Sequence, residues 1–169
     1  MMKKVGIVMG SKSDMPVVEK VMKRLESLDT PYEVRILSAH RTPTEVAEYA
    51  ESARSRGIGV IIAAAGKAAA LPGALAACTT LPVVGLPIKS SFLDGLDSLI
   101  SMSQMPPGIP VATVGMNNAL NAAILAAQIL AVGDPQIAKR FLAYKEGLKK
   151  KIAAANEQLK DVHYKFKTN

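Results

Sequence analysis

The sequence predicts an α/β fold, a five-stranded parallel sheet covered by helices on both faces with one further helix at the C-terminus. Three observations lead there. Short apolar runs of β type alternate with segments whose apolar residues recur at helical spacing. Three polar segments, MGSKSD at 9–14, SAHRTP at 38–43 and GKAAALPG at 66–73, each follow such a run, and each opens a helical pattern. In open α/β sheets that position is the carboxyl end of parallel strands, where ligands bind.

Residues 5–9 read as a continuously apolar strand, and from Asp14 onward Val17, Val18, Val21, Met22, Leu25 and Leu28 fall at helical spacing, completing a βα unit. Asp29-Thr30-Pro31 breaks that helix, and residues 32–37 alternate as a second strand. Thr42 offers an N-cap, with proline next at the first helical position, and the second helix runs to about Arg56, where Gly57 ends it. A fully buried strand is expected at 60–65, a helix of small residues at 72–77, and a fourth strand at 83–86. A helix at 92–102, a strand at 111–114, an Ala/Leu-rich helix at 118–130 and a last helix from about Asp134 complete the pattern.

Right-handed crossovers join such strands, and no linker or internal repeat interrupts them, so 1–169 reads as a single α/β domain. The final helix has no strand to cover. Ala122, Ala123, Ala126 and Ala127 give the preceding helix a smooth apolar surface. Residues 134–169 are therefore expected in subunit contacts, which makes the protein a homo-oligomer.

A chain of 169 residues that is 49% hydrophobic builds a large core, and a domain of this size buries roughly 70% of its unfolded surface. No run approaches the ~20 apolar residues of a membrane span, and Met1-Met2-Lys3-Lys4 leads straight into a strand rather than a secretory signal. A cytoplasmic protein is the expectation, with no membrane partner. The one cysteine, Cys78, reads as a buried small residue and has no second cysteine with which to frame a disulfide or a metal site.

The net charge of +7 sits mostly at one end: residues 139–169 hold nine Lys/Arg against three Asp/Glu. There Lys149-Lys150-Lys151 reads as a solvated helix face, and His163 as incidental. With aromatics at 4% and no Trp, a stacking platform for single strands is absent, and no nucleic-acid partner is expected.

The first polar loop has the parts of an anion cradle. Ser11 and Ser13 offer hydroxyls, Gly10 allows a tight exit from the strand, and the helix that follows presents free N–H groups. A single glycine makes it neither a Walker loop nor GxGxxG. The competing reading is that Ser13 or Asp14 merely caps the helix. Asp14 suits both roles, as a helix-start carboxylate and as an acceptor for sugar hydroxyls.

In the second loop, Arg41 is a fork for phosphate and Ser38 a further donor. His40 is suited to proton transfer near neutral pH, or else is structural; its place beside Arg41 and opposite another polar strand end favours the first. In the third loop, Gly66 and Gly73 let backbone approach a planar ligand, while Lys67 either pairs with a carboxylate or reaches solvent. Residues 87–91 follow the fourth strand as another wall.

GSKSD at 10–14, SAHRTP at 38–43, the AG..AA.LPG frame at 65–73, DSLIS at 97–101, QMPPGIPVATV at 104–114 and NAAILAAQIL at 121–130 together resemble one family. It is that of the phosphoribosylaminoimidazole carboxylase catalytic subunit, also called 5-(carboxyamino)imidazole ribonucleotide mutase, of purine biosynthesis. The resemblance covers nearly the whole chain. It implies a three-layer flavodoxin-like (Rossmann-like) domain assembled as a homo-octamer, without metal or organic cofactor. It implies Ser11, Asp14, Ser38 and Arg41 as phosphate and ribose ligands, and Ser13 and the loop of Gly66, Lys67 and Leu71 near the imidazole. His40 matches the family's proton-transfer histidine. The implied partners are a ribonucleotide and carbon dioxide, with the carboxyl group moving from the 5-amino nitrogen to carbon 4.

Two positions depart from the family's bacterial mutase pattern. GGAAHLPG there is GKAAALPG here, with Lys67 for a glycine and Ala70 for a histidine. The animal-type branch, which uses free carbon dioxide, reads GRSNxL, with a basic residue at the Lys67 position. The chain thus resembles a hybrid, with a mutase-like SAHRTP segment and a third loop that leans toward the other branch. Alongside the mutase reading stand an aminoimidazole ribonucleotide carboxylase or decarboxylase and a non-catalytic nucleotide-binding paralogue.

Overall fold

The computed structural model describes residues 3–163, 165 and 166. The reading of Met1 and Met2, and the end of the tail at 164 and 167–169, lie outside the described residues. Strands β1 (Lys4–Met9), β2 (Tyr32–Ile36), β3 (Ile58–Gly66), β4 (Val83–Ile88) and β5 (Ala112–Thr113) form one sheet. All pair in parallel in the order β2-β1-β3-β4-β5, the doubly wound order whose ligands lie beyond the strands' carboxyl ends. The helices are α1 (Met15–Ser27), α2 (Pro43–Ala53), α3 (Leu71–Ala77), α4 (Leu96–Ser103), α5 (Ala119–Ala131) and α6 (Pro135–Gln158). A 3₁₀ turn at Lys12–Asp14 leads into α1.

Side-chain alternation along the strands divides the core into two layers. Val5, Ile7 and Met9 of β1, Val60 and Ile62 of β3, and Val84 and Leu86 of β4 pack with α1 and α5 on one face. Val8, Ile61, Ala63, Ala65 and Val83 meet α2, α3 and Met102 of α4 on the other. The central strand β3 is buried along Ile58 to Ala65, the pattern of a strand covered on both sides.

Several expectations need correction. Ala122, Ala123, Ala126 and Ala127 are fully buried in the chain's own core, because their small side chains let α5 lie close against α1 and the sheet; they are not a free surface. The helix expected at 92–102 is broken: Leu93, Asp94 and Gly95 are left-handed (φ 44°, 55° and 93°), and α4 starts only at Leu96. Strand β5 is two residues long, since only Val84 and Gly85 pair with it. Cys78 is partly buried, at the end of α3.

Helix α6 is fastened at its start. The Asp134 carboxylate accepts from the Gln136 and Ile137 amides, Ile137 is buried, and Arg140 pairs with Asp29 at 2.7 Å. Farther along, Leu142, Leu148 and Ile152 are exposed, as are Lys149, Lys150 and Lys151.

Candidate active site

The loops after β1, β2, β3 and β4 border one cavity of about 640 Å³, within the range of small-molecule sites. Ser11, Ser13, Asp14, Ser38, His40, Arg41, Gly66, Lys67 and Leu71 all line it. The parallel order accounts for this, because β2, β1, β3 and β4 are consecutive neighbours and deliver their loops to one edge.

Beyond β1, Ser11 is the residue that caps the helix start, rather than Ser13 or Asp14. Its Oγ accepts from the Ser13 amide at 3.3 Å, and Asp14 Oδ2 in turn accepts from the Ser11 amide at 3.2 Å. The Ser13 hydroxyl lies 2.9 Å from Ser11 Oγ. Ser11 Oγ thus accepts from backbone within the loop and shares a hydroxyl–hydroxyl contact with Ser13. Asp14 is buried. Burial pushes its carboxyl above the usual range, and bonds from the Ser11 amide and the Ser13 hydroxyl offset only part of that rise.

Thr42 does not cap α2 with its side chain. Instead its hydroxyl accepts from the Ser38 amide at 2.9 Å and lies 3.2 Å from the Ser38 carbonyl, closing the loop on itself. Arg41 completes the closure: its Nε donates to Ser38 Oγ at 3.4 Å, and one terminal nitrogen donates to the Gly10 carbonyl at 3.3 Å. The guanidinium keeps further N–H groups for a ligand. His40 is exposed at the cavity edge.

Beyond β3, Gly66 is closely packed: a Cβ there would stand 3.1 Å from the backbone oxygen of Ile88, tighter than an ordinary contact. Gly10, by contrast with the tight exit expected of it, has neither a left-handed backbone nor a close neighbour that demands glycine. A Cβ at Gly10 would meet nothing closer than 3.9 Å within the chain, and its neighbours at 4.0 Å are Asp14 Oδ2 and Leu71 Cδ2, both groups of cavity-lining residues. Lys67 has a left-handed backbone, φ 57°.

Beyond β4, Lys89, Ser90 and Ser91 form the remaining wall. Asn117 supports it: its side-chain oxygen accepts from the Lys89 amide at 2.9 Å, and its own amide donates to the Pro87 carbonyl. Sequence reasoning passed over Asn117; the signal was an asparagine after a strand, a residue type tolerant of the left-handed backbone it adopts here, φ 52°. Among the described residues, no three His, Cys, Asp or Glu side chains gather as a metal-holding group, and no helix is long and apolar enough to cross a membrane.

The cavity therefore brings together serine hydroxyls and a guanidinium, a carboxylate, one imidazole and a wall of small side chains. Residues 4–151 match the family model described as AIR carboxylase. The chain belongs to the AIR carboxylase family. Among relatives, it is 52% identical over 164 residues to N5-carboxyaminoimidazole ribonucleotide mutase of Thermotoga maritima, covering 97% of this chain and 96% of that protein. It is 56% identical over 149 residues to the protein of the same name from Pyrococcus abyssi, covering 88% and 86%. The crystal structure of Treponema denticola PurE superposes with a TM-score of 0.86 at 33% identity, over 94% of this chain and 99% of that one. The three-layer flavodoxin-like fold of this AIR carboxylase family member is thus shared with solved relatives.

Proposed function

We propose that this protein is an enzyme of purine biosynthesis that moves a carboxyl group from the 5-amino nitrogen of an aminoimidazole ribonucleotide to carbon 4. The observation that carries this reading is the meeting of Ser11, Asp14, His40 and Arg41 on one cavity, in a chain 52% identical to a named mutase. Ser11, Ser38 and Arg41 hold the phosphate, through hydroxyl donors and a charge-assisted fork. Asp14 accepts from the ribose hydroxyls, and Ser13, Gly66, Lys67 and Leu71 flank the ring.

In the reaction, the N–C bond of the carbamate breaks to give carbon dioxide, and the amino nitrogen regains a proton from the His40 imidazolium, which the later loss of the carbon-4 proton restores. Carbon 4 of the electron-rich ring then attacks carbon dioxide, and the proton on that carbon leaves. His40 takes this proton; general base catalysis of this kind contributes about 10²- to 10⁴-fold. Holding carbon dioxide beside the ring makes its recapture an intramolecular event. The atoms balance as an isomerisation, with the ring as its own electron sink and no metal or organic cofactor assigned.

A second reading, a carboxylase or decarboxylase working through free carbon dioxide, is favoured by Lys67 and Ala70, which make the third loop unlike the mutase pattern. We further assign the chain as one α/β domain in a cytoplasmic homo-octamer. The exposed Leu142, Leu148 and Ile152 of α6 support its use in subunit contacts. Assaying purified protein with aminoimidazole ribonucleotide plus bicarbonate, with the N5-carbamate and with the 4-carboxy compound tests the reaction. Interconversion of the last two is expected; decarboxylation of the 4-carboxy compound without conversion of the carbamate rules out the mutase.

A further inference from the structure

Three lysine or arginine side chains border the cavity: Arg41, Lys67 and Lys89. Two are engaged within the chain. Arg41 is tied to Ser38 and Gly10 beside Ser11, and Lys89 Nζ stands 2.6 Å from Asp94 Oδ1. Among the described residues, no ion pair involves Lys67. It is also the one polar side chain of its loop, since Gly66, Ala68, Ala69, Ala70 and Leu71 offer only backbone groups.

Its conformation points the same way. The left-handed backbone of Lys67 is held by a bond from the Ala69 amide to the Lys67 carbonyl at 2.8 Å, followed by one from the Ala70 amide to the Ala68 carbonyl. A glycine adopts that shape freely, whereas a long L side chain resists it. Residues kept against local preference cluster where a ligand is handled.

Resting on the function proposed above, we propose that Lys67 receives the carboxylate borne by the imidazole ring and so sets preference for carboxylated over uncarboxylated ribonucleotides. Such a ligand carries two separate anions. Arg41, on the loop of β2, together with Ser11, on that of β1, takes the phosphate; Lys67, on the loop of β3, takes the carboxylate. A flexible ammonium suits this task, because it can follow a carboxylate that shifts between the amino nitrogen and carbon 4, which a rigid planar fork does less well.

The test compares binding of 5-aminoimidazole ribonucleotide and its 4-carboxy derivative by titration calorimetry to wild type, Lys67→Met and Lys67→Arg, with thermal unfolding confirming that each is folded. Lys67→Met is expected to weaken the carboxylated ligand by about tenfold or more and the uncarboxylated one by less than about twofold. Lys67→Arg keeps most of the discrimination, because the charge remains. Equal loss for both ligands, or no loss for the carboxylated one, overturns the assignment of Lys67 alone. Wild-type protein that binds neither ribonucleotide overturns the proposed function, and this inference with it.

Discussion

The Arg41 guanidinium donates to the carbonyl oxygen of Gly10 across 31 residues of chain. That bond ties the loop of β2 to the loop of β1, and the accompanying bond to Ser38 Oγ holds the guanidinium between them. The two loops and the guanidinium between them are therefore fixed relative to one another within the chain itself, and for the anion site proposed here that lowers the ordering cost of binding.

Arg41→Lys keeps the charge and loses the fork that spans Ser38 and Gly10. It is expected to raise KM for the ribonucleotide by about 10- to 100-fold, the worth of one or two charge-assisted bonds. The rate at saturation changes less, because the phosphate lies away from the reacting carbon. Steady-state kinetics separate the two.

His40→Asn removes the one imidazole at the cavity and leaves Ser11, Ser38 and Arg41, the phosphate ligands proposed above, in place. Turnover is expected to fall by about 10²- to 10⁴-fold, with ligand affinity nearly unchanged. Single-turnover assays beside equilibrium titration check this. A wild-type protein without turnover, binding ligand as tightly as the variant, would instead be a binding module.

Asp14 gives a pH signature. Burial raises its folded-state pKa above that of the unfolded chain, so the folded protein holds this proton more tightly. As pH rises through the interval between the two values, the unfolded chain ionises first and stability falls. Asp14→Asn is thus expected to unfold at a higher temperature than wild type at neutral pH, with the gap closing below the ordinary carboxylate range. Affinity moves oppositely: the variant binds ribonucleotide more weakly, and wild type weakens on acidification from a pH above the ordinary carboxylate range. Thermal melts and titrations across pH 3 to 8, roughly, follow both.

Gly10 and Gly66 are expected to separate function from folding. Gly10→Ala places a methyl beside Asp14 and Leu71 in otherwise open space, so stability changes by less than about 0.5 kcal/mol while ribonucleotide affinity drops. Gly66→Ala pushes against the Ile88 carbonyl, whose strand pairs directly with β3 there, and costs about 1–2 kcal/mol. Denaturant unfolding and ligand titration on both variants distinguish them.

The sheet was legible because its strands are continuous apolar runs, and β1, β3 and β4 each contain the expected core. Polar segments after those runs had to share an edge once the strands were parallel, which is why all nine candidate residues line one cavity. What was hidden depends on partners rather than pattern. Apolar spacing marks Ala122 and Ala126 as one face but does not say whether that face meets its own sheet or another chain. It cannot register Leu93, Asp94 and Gly95 turning left-handed inside an apolar stretch, which shortens α4. Likewise, Thr42 has the composition of a cap but spends its hydroxyl on Ser38, a choice made by loop geometry four residues away.

Because β3 and β4 are held together by their own ladder, from Ile61 paired with Val83 to Gly66 paired with Ile88, the exposed residues that follow β3, Lys67, Ala68 and Ala70, bear little of the scaffold's weight, whereas Ala69 and Leu71 belong to the core. Those exposed positions are a natural graft point. Exchanging Lys67, Ala68 and Ala70 while Ala69 and Leu71 are kept should retune which ribonucleotide is accepted while the rest of the molecule folds as before, so chemistry and architecture in this protein are open to separate inheritance.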